Sequence, residues 1–224
     1  MARRSYDQFC GLALALDIVG ERWTLMIVRE LMSGPKRYSD LAGALDGIGT
    51  SLLAARVKQL EADDVVERRQ LPPPVASTVY RLTPAGAELA KALTPLALWG
   101  TRHRTHDGRA PGQSFRAEWS LAFLAQLVDS DALRTVEGRF EFHADDSIAR
   151  LDIHDGRVDV RSGPGEDPAD AVITYDSATF AAIVRGDLAI AEALARQRVR
   201  AVGDPESIHN LAVVLQSALD NLPV

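Results

Sequence analysis

Residues 49–70, GTSLLAARVKQLEADDVVERRQ, change their hydrophobic period in mid-course. Up to Leu60, the apolar residues Leu53, Val57 and Leu60 are spaced four and three apart, the buried stripe of an amphipathic helix. From Val65 the pattern turns β-like: VVERRQL and then STVYRLT are short runs rich in Val, Thr and Tyr, separated by PPPVA. Proline fixes its own backbone and offers no amide donor, so this tip is a stiff turn. A helix that feeds directly into a proline-tipped hairpin leaves few folds open. Arg56 and Lys58 on the helix and Arg68 and Arg69 on the first strand add positive charge to the same region. Two readings compete: a core helix with a solvated face, or a helix that enters a DNA groove and leads into a wing.

The flanking segments favour the second reading. Helices are predicted over 7–19, with Phe9, Leu12, Leu16 and Val19 near one face, and over 21–33, closed by Ser33-Gly34-Pro35. RYSDLAGAL forms a short third helix and Asp46-Gly47 a turn. After the hairpin, Thr83 is an N-cap with Pro84 in the first helical position, opening a long helix that Pro95 should kink. Helix, short helix, turn, helix and hairpin make a winged helix-turn-helix, whose projecting helix fits a major groove about 12 Å wide.

Charge separates the two halves. Net charge is −6, but residues 1–112 hold 15 Lys and Arg against 12 Asp and Glu, whereas residues 113–224 hold 10 against 19. Only the first half suits phosphate. HRTHDGRAPGQS, 103–114, is the linker, dividing a domain at 1–108 from one at 113–224. The second half reads as an α+β domain with a mostly antiparallel sheet. FRAEWSLAFLAQLV is a helix, and GRFEFHA, SIARLDIHDG, GRVDVRSG and ADAVITYD are strands. SATFAAIVRGD and LAIAEALARQ are helices, RVRAVGD is a fifth strand and PESIHNLAVVLQSAL a closing helix.

Other classes find little support. There is no nucleophile elbow, P-loop or dinucleotide fingerprint, so no catalytic residue is assigned and no cofactor is expected. His143 near Asp145, and His154-Asp155, read as solvated turns. His103 and His106 beside Asp107 lack a third metal ligand, so no metal site is assigned. Cys10 is the single cysteine, which excludes an intrachain disulfide. No apolar run reaches the roughly 18 residues of a membrane span. The basic N-terminus is followed by an apolar stretch broken by Asp17 and running into Glu21 and Arg22, so a cytoplasmic protein without membrane attachment is expected.

CGLALALDIVGERWTLMIVREL (10–31), GPKRYSDLAGAL (34–45), RVKQLEADDVVERR (56–69) and VYRLTPAG (79–86) together resemble the HxlR-type transcriptional regulators, over about the first 105 residues. The resemblance implies a dimeric winged-helix DNA-binding protein, with Leu12, Leu16, Leu96 and Trp99 in a seam between its first and last helices. It places Arg37, Tyr38, Ser39, Thr50, Ser51, Ala54, Ala55, Arg56, Lys58, Arg68, Arg69 and Ser77 toward double-stranded DNA. Several positions depart from the family. Thr50 and Ser51 stand where Pro and a basic residue are usual, Ala54 and Ala55 where longer polar residues are common, and Ser77 where many relatives carry arginine. Alanine meets a thymine methyl but cannot hydrogen-bond a base edge. Asp64 replaces a helix-ending glycine, a left-handed position that Asp tolerates. Cys10 falls where some members carry a redox-sensing cysteine, although no Lys or His lies within four residues to activate it.

Residues 169–215 are similar to the sterol carrier protein type-2-like fold, with Arg196 or Gln197 where that fold prefers glycine before its last strand. Such domains enclose an apolar cavity. The resemblance implies a lining drawn from Trp119, Phe123, Phe140, Phe142, Leu151, Ile173, Phe180, Ile183, Val184, Leu194 and Leu211. The sequence therefore predicts a homodimeric repressor on a palindromic operator, with a C-terminal domain sensing an apolar small molecule. Two alternatives remain: a binding protein whose winged helix serves dimerisation, and a regulator switched through Cys10.

Overall fold

A computed structural model describes residues 5–72, 76–105, 108–129, 133–134 and 136–222. Pro73, Pro74 and Val75 of the expected wing tip, and His106 and Asp107, lie outside the described residues. The chain divides into two compact units, Met1–Leu93 and Thr94–Val224.

The first unit runs α1 (Gly11–Val19), α2 (Thr24–Met32), α3 (Tyr38–Ala44), α4 (Thr50–Ala62), β1 (Val66–Gln70), β2 (Thr78–Leu82) and the start of α5 (Pro84–Arg104). α1 begins four residues later than its apolar pattern suggests. The Asp17 carboxylate accepts the Tyr6 N–H and the Ser5 hydroxyl, both at 3.0 Å, and Asp7 is left-handed at φ +51°. Those bonds draw the preceding segment out of the helix. α2 likewise starts late, because Trp23 takes φ +78°. Leu53, Val57 and Leu60 are fully buried, as their spacing requires, with Ile27, Val28 and Leu41 opposite them in the core. Asp64 occupies the left-handed position after α4 at φ +55°.

β1 and β2 pair antiparallel, Val66 opposite Leu82 and Gln70 opposite Thr78. The Lys36 backbone exchanges two hydrogen bonds with Tyr80, fastening the turn before α3 to the hairpin. Thr83 caps α5: its hydroxyl accepts the Gly86 N–H at 3.0 Å and donates to the Asp64 carbonyl. Gly86 is required there, since a Cβ would lie 2.0 Å from the Val65 carbonyl oxygen. α5 continues through Pro95 to Arg104.

The second unit contains α6 (Ala117–Ala125), β3 (Gly138–Ala144), β4 (Ser147–His154), β5 (Arg157–Ser162), β6 (Ala171–Tyr175), α7 (Ser177–Arg185), α8 (Ile190–Ala195), β7 (Arg200–Gly203) and α9 (Pro205–Asp220). The strands form one sheet in the order β5-β4-β3-β6-β7. Every pairing is antiparallel except β3 with β6. Alternation sets the faces: Phe140, Phe142, Leu151, Ile153, Val160 and Ile173 share the buried side with Leu121, Leu211 and Val214 from the helices. Between β4 and β5, Asp155 and Gly156 take φ +51° and +69°, the two left-handed residues of a tight hairpin. Asp176 and Asp204 cap α7 and α9 by accepting the amides of Thr179 and Ser207. Gln197 takes φ +55° before β7, so the position where glycine was expected is indeed left-handed.

Candidate nucleic-acid interface and ligand cavity

With its apolar stripe buried, α4 leaves Thr50, Ser51, Ala54, Ala55 and Lys58 on the exposed side. The Tyr38 hydroxyl donates to the Thr50 carbonyl at 2.7 Å, stitching α3 to the first turn of α4. Arg37 precedes α3, its side chain exposed while its amide donates to the Asp40 carboxylate at 2.9 Å. Ser39 is exposed beside Asp40.

The four expected phosphate-seeking cations are not equivalent. Arg56 is tucked against the protein, its guanidinium 2.7 Å from Glu21 in the turn before α2, and its Nε is buried without a partner. Arg81 binds Glu67 across the hairpin and Arg69 binds it along the same strand, and the Arg81 hydrogen bond, before that of Arg69, holds the Glu67 carboxyl below its ordinary range. Lys58 and Arg68 are exposed, and among the described residues neither has an acidic partner. Ser77 is half-buried, its hydroxyl enclosed and unpartnered. Arg56 and Tyr38 thus hold the motif together, and the solvent-facing cations are Arg37, Lys58 and Arg68.

Large apolar side chains are exposed in each unit. Phe9 is fully exposed, Leu12 is 69% exposed, and on α5 Leu96 and Trp99 are 54% and 57% exposed. Leu16 is half-buried. Cys10 is exposed and immediately precedes α1. The backbone amides of Ala13 and then Leu12 face its sulfur and draw the thiol pKa down. No basic side chain is involved. Placing the helix start at 7 hid this, because it put Cys10 inside the helix rather than at its mouth.

In the second unit a cavity of about 80 Å³ lies between the sheet and the helices. α6 contributes Leu121 and Leu124, the sheet Phe142, Ile173 and Tyr175, and α7 Phe180, Ile183 and Val184. Ile190, Val199, Leu215 and Leu219 complete the wall. Five of the eleven expected lining residues are therefore here. Phe140, Leu151 and Leu211 pack in the sheet core instead, and Leu194 is 42% exposed on α8. Trp119 and Phe123 are half-buried off the wall, with the Arg116 guanidinium over the Trp119 ring. Burial pushes the Tyr175 phenol far above its usual pKa, so it is protonated at any physiological pH. Arg185, closing α7, donates from Nη1 to the Thr105 hydroxyl at 2.8 Å and to its carbonyl at 3.2 Å. Thr105 is the residue after α5.

Glu137, His154 and Asp155 gather at the β4–β5 turn, His154 Nδ1 being 2.7 Å from Glu137 and Nε2 3.2 Å from Asp155. All three are exposed, as a solvated turn implies. No helix among the described residues is long and apolar enough to cross a membrane.

Residues 18–107 match the HxlR-like helix-turn-helix model. The HTH-type transcriptional regulator YodB of Bacillus subtilis is 34% identical over 85 residues, 38% of this chain and 76% of that protein. The uncharacterised HTH-type regulator YvaP of the same organism is 36% identical over 87 residues, 39% of this chain and 81% of YvaP. The chain belongs to the HxlR-like family. Residues 122–216 match the SCP-2 sterol transfer family, so an HxlR-type transcriptional regulator here carries a C-terminal SCP-2 domain. Among solved structures, reduced YodB from B. subtilis aligns at 30% identity with a TM-score of 0.39, covering 46% of this chain and all of that one.

Within the HxlR-type unit, no local pattern points to Glu21 as the partner of Arg56, because the pair is 35 positions apart. In the SCP-2 domain the missed wall residues did carry a signal. Tyr175 lies two residues after Ile173 on one strand, and Leu215 and Leu219 are four apart on one helix, so each pair shares a face.

Proposed function

We propose that this chain is a homodimeric repressor that reads a palindromic operator with α4 and the β1–β2 wing, and that its SCP-2 cavity takes an apolar effector. The observation that carries DNA reading is the exposed side of α4. It is a continuous strip of small and polar residues ending in Lys58, held by Tyr38 on one side and by the Glu21–Arg56 pair on the other. Thr50 and Ser51 suit hydrogen bonds to backbone or base edges, and Ala54 and Ala55 suit thymine methyls. The exposed Leu12, Leu96 and Trp99 support self-association, since large apolar side chains lose free energy in water at about 25 cal/mol per Å².

Support for effector coupling comes from α7. Phe180, Ile183 and Val184 of this helix wall the cavity, and Arg185, the residue after Val184, grips Thr105. A ligand that moves α7 pulls on the end of α5, and it changes operator affinity to the extent that it binds the two states unequally. Fluorescence anisotropy on DNA from upstream of its own gene tests the reading. Salt-sensitive nanomolar binding supports it, and binding no tighter than to random DNA would leave a small-molecule carrier that uses the winged helix for dimerisation.

A second reading has its own observation. Cys10 is exposed with a lowered pKa at the mouth of α1, so oxidation there would disturb the helix that carries Leu12. Loss of operator binding with diamide, abolished by Cys10→Ser, would establish it.

A further inference from the structure

We propose that within the dimer the two C-terminal domains pair edge to edge through β7, a second copy of this chain being the occupant of that strand's open side. This rests on the homodimer reading above and adds a contact that the residues of α1 and α5 do not supply. β7 ends the sheet. The Asp204 N–H donates to the Asp170 carbonyl at 2.9 Å, so by alternation the backbones of Arg200 and Val202 face β6. The N–H and C=O groups of Ala201 and Gly203 then point outward, and among the described residues no strand pairs with them. Arg198, Arg200, Val202, Gly203 and Asp204 are all exposed along this edge. Val202, at 71%, is the most exposed large apolar side chain among the described residues of its unit. The opposite edge is guarded: on β5 the exposed Asp159 and Arg161 pair along the strand.

A strand that meets its own copy about a two-fold axis in the sheet runs antiparallel, and its register follows from which side chains then lie opposite one another. Ala201 packs toward the core, so Arg200, Val202 and Asp204 stand on the other face. Asp204 continues the extended backbone at φ −66° and ψ 126°. With Val202 on the axis, Ala201 exchanges hydrogen bonds with the partner's Gly203, and Val202 packs on the partner's Val202. Arg200 then lies opposite the partner's Asp204, and the axis repeats that pair on the other side. Apolar contacts and opposite charges across a strand pair both stabilise it. Sliding one step sets Arg200 against the partner's Val202, and a second step sets it against the partner's Arg200. Sliding the other way sets Val202 against the partner's Asp204. Within its own chain the printed side-chain contact of Arg200 is to the neutral Gln197, at 3.3 Å, which leaves its charge to be met from outside. A strand of 4 residues cannot bury the roughly 1,200 Å² of a stable interface, so the pairing forms only where the α1–α5 seam already holds two chains together.

Disulfide trapping in the full chain carrying Cys10→Ser tests the register, with light scattering of the reduced protein giving its mass. Residues opposite each other in a non-hydrogen-bonded pair have Cα atoms about 4.5 Å apart, within the span of a disulfide. Val202→Cys treated with diamide should therefore give a covalent dimer on a non-reducing gel. It should do so about tenfold faster or more than Val213→Cys, an exposed site two turns into α9. Adding Arg200→Glu to Val202→Cys should slow the crosslink about tenfold, because two opposite-charge pairs become like-charge pairs, and Arg200→Lys should leave it fast. A dimeric mass with Val202→Cys no faster than Val213→Cys would overturn the strand pairing and leave the homodimer reading intact. Crosslinking indifferent to Arg200→Glu would overturn the register. A monomeric mass without crosslinking would overturn the pairing and, beneath it, the homodimer reading.

Discussion

Phe9 and Phe140 carry the same side chain, yet one is fully exposed and the other fully buried. The contrast extends to their surroundings. Around Phe140, the sheet and its helices bury a cluster of apolar residues, with a small cavity beside it. The segment from Tyr6 to Leu14, and the outer side of α5 at Leu96 and Trp99, instead leave large apolar groups in water. A fold can tolerate single exposed apolar residues, and the repeated ones on two helices are those that the proposed homodimer would cover. The region around Phe140 buries its largest apolar side chain completely, whereas these positions leave theirs in water.

The largest expected effect breaks the first side of that contrast. Leu96→Glu should convert a dimer to monomers by light scattering and abolish operator binding, because two half-sites then bind independently; an unchanged mass would take α5 out of the interface. Next come the exposed cations. Lys58→Ala and Arg68→Ala should each lower operator affinity severalfold and reduce the slope of log K against log salt by about 0.9. Arg56→Ala should weaken binding while leaving that slope nearly unchanged, since its guanidinium is already held by Glu21. Equal slope losses for Arg56 and Lys58 would show that the Glu21 pair opens on DNA.

A smaller effect sharpens the enclosed side. Phe180→Trp should fill part of the cavity and weaken binding of an apolar probe a few-fold, with the melting temperature of the free protein changed by only a few degrees. Smallest of all is His154. Its contact with Glu137, and then with Asp155, raises its pKa, so its stabilising contribution is fully present below pH 6.5 and fades as pH rises through the higher folded value. Titration of the His154 ring by NMR should show this elevation, and Glu137→Gln should bring it back toward 6.5.

The same contrast explains what could be read in the chain before its fold. Periodicity placed nearly every element, because a helix or strand with one buried face writes its period into neighbouring positions. Leu53, Val57 and Leu60 and the alternation through Phe140 and Phe142 are of that kind. So were the left-handed Asp64 and the cap at Thr83, which depend on bonds a few residues long. The late start of α1 escaped, since it depends on Asp17 reaching back to Tyr6.

Local sequence thus determined the order of elements, the recognition helix and wing, and the opposite charge of the two halves, since each follows from interactions between near neighbours or from composition. Tertiary structure alone decided which arginines are free, which apolar residues line space rather than fill it, and whether Cys10 sits inside a helix or at its mouth. Glu21 and Arg56 are far apart in sequence, as are Thr105 and Arg185, and a pattern with a period of two or 3.6 carries no information about which distant side chain will arrive opposite. Only packing brings them together, and packing sets their charge and their hydrogen bonding.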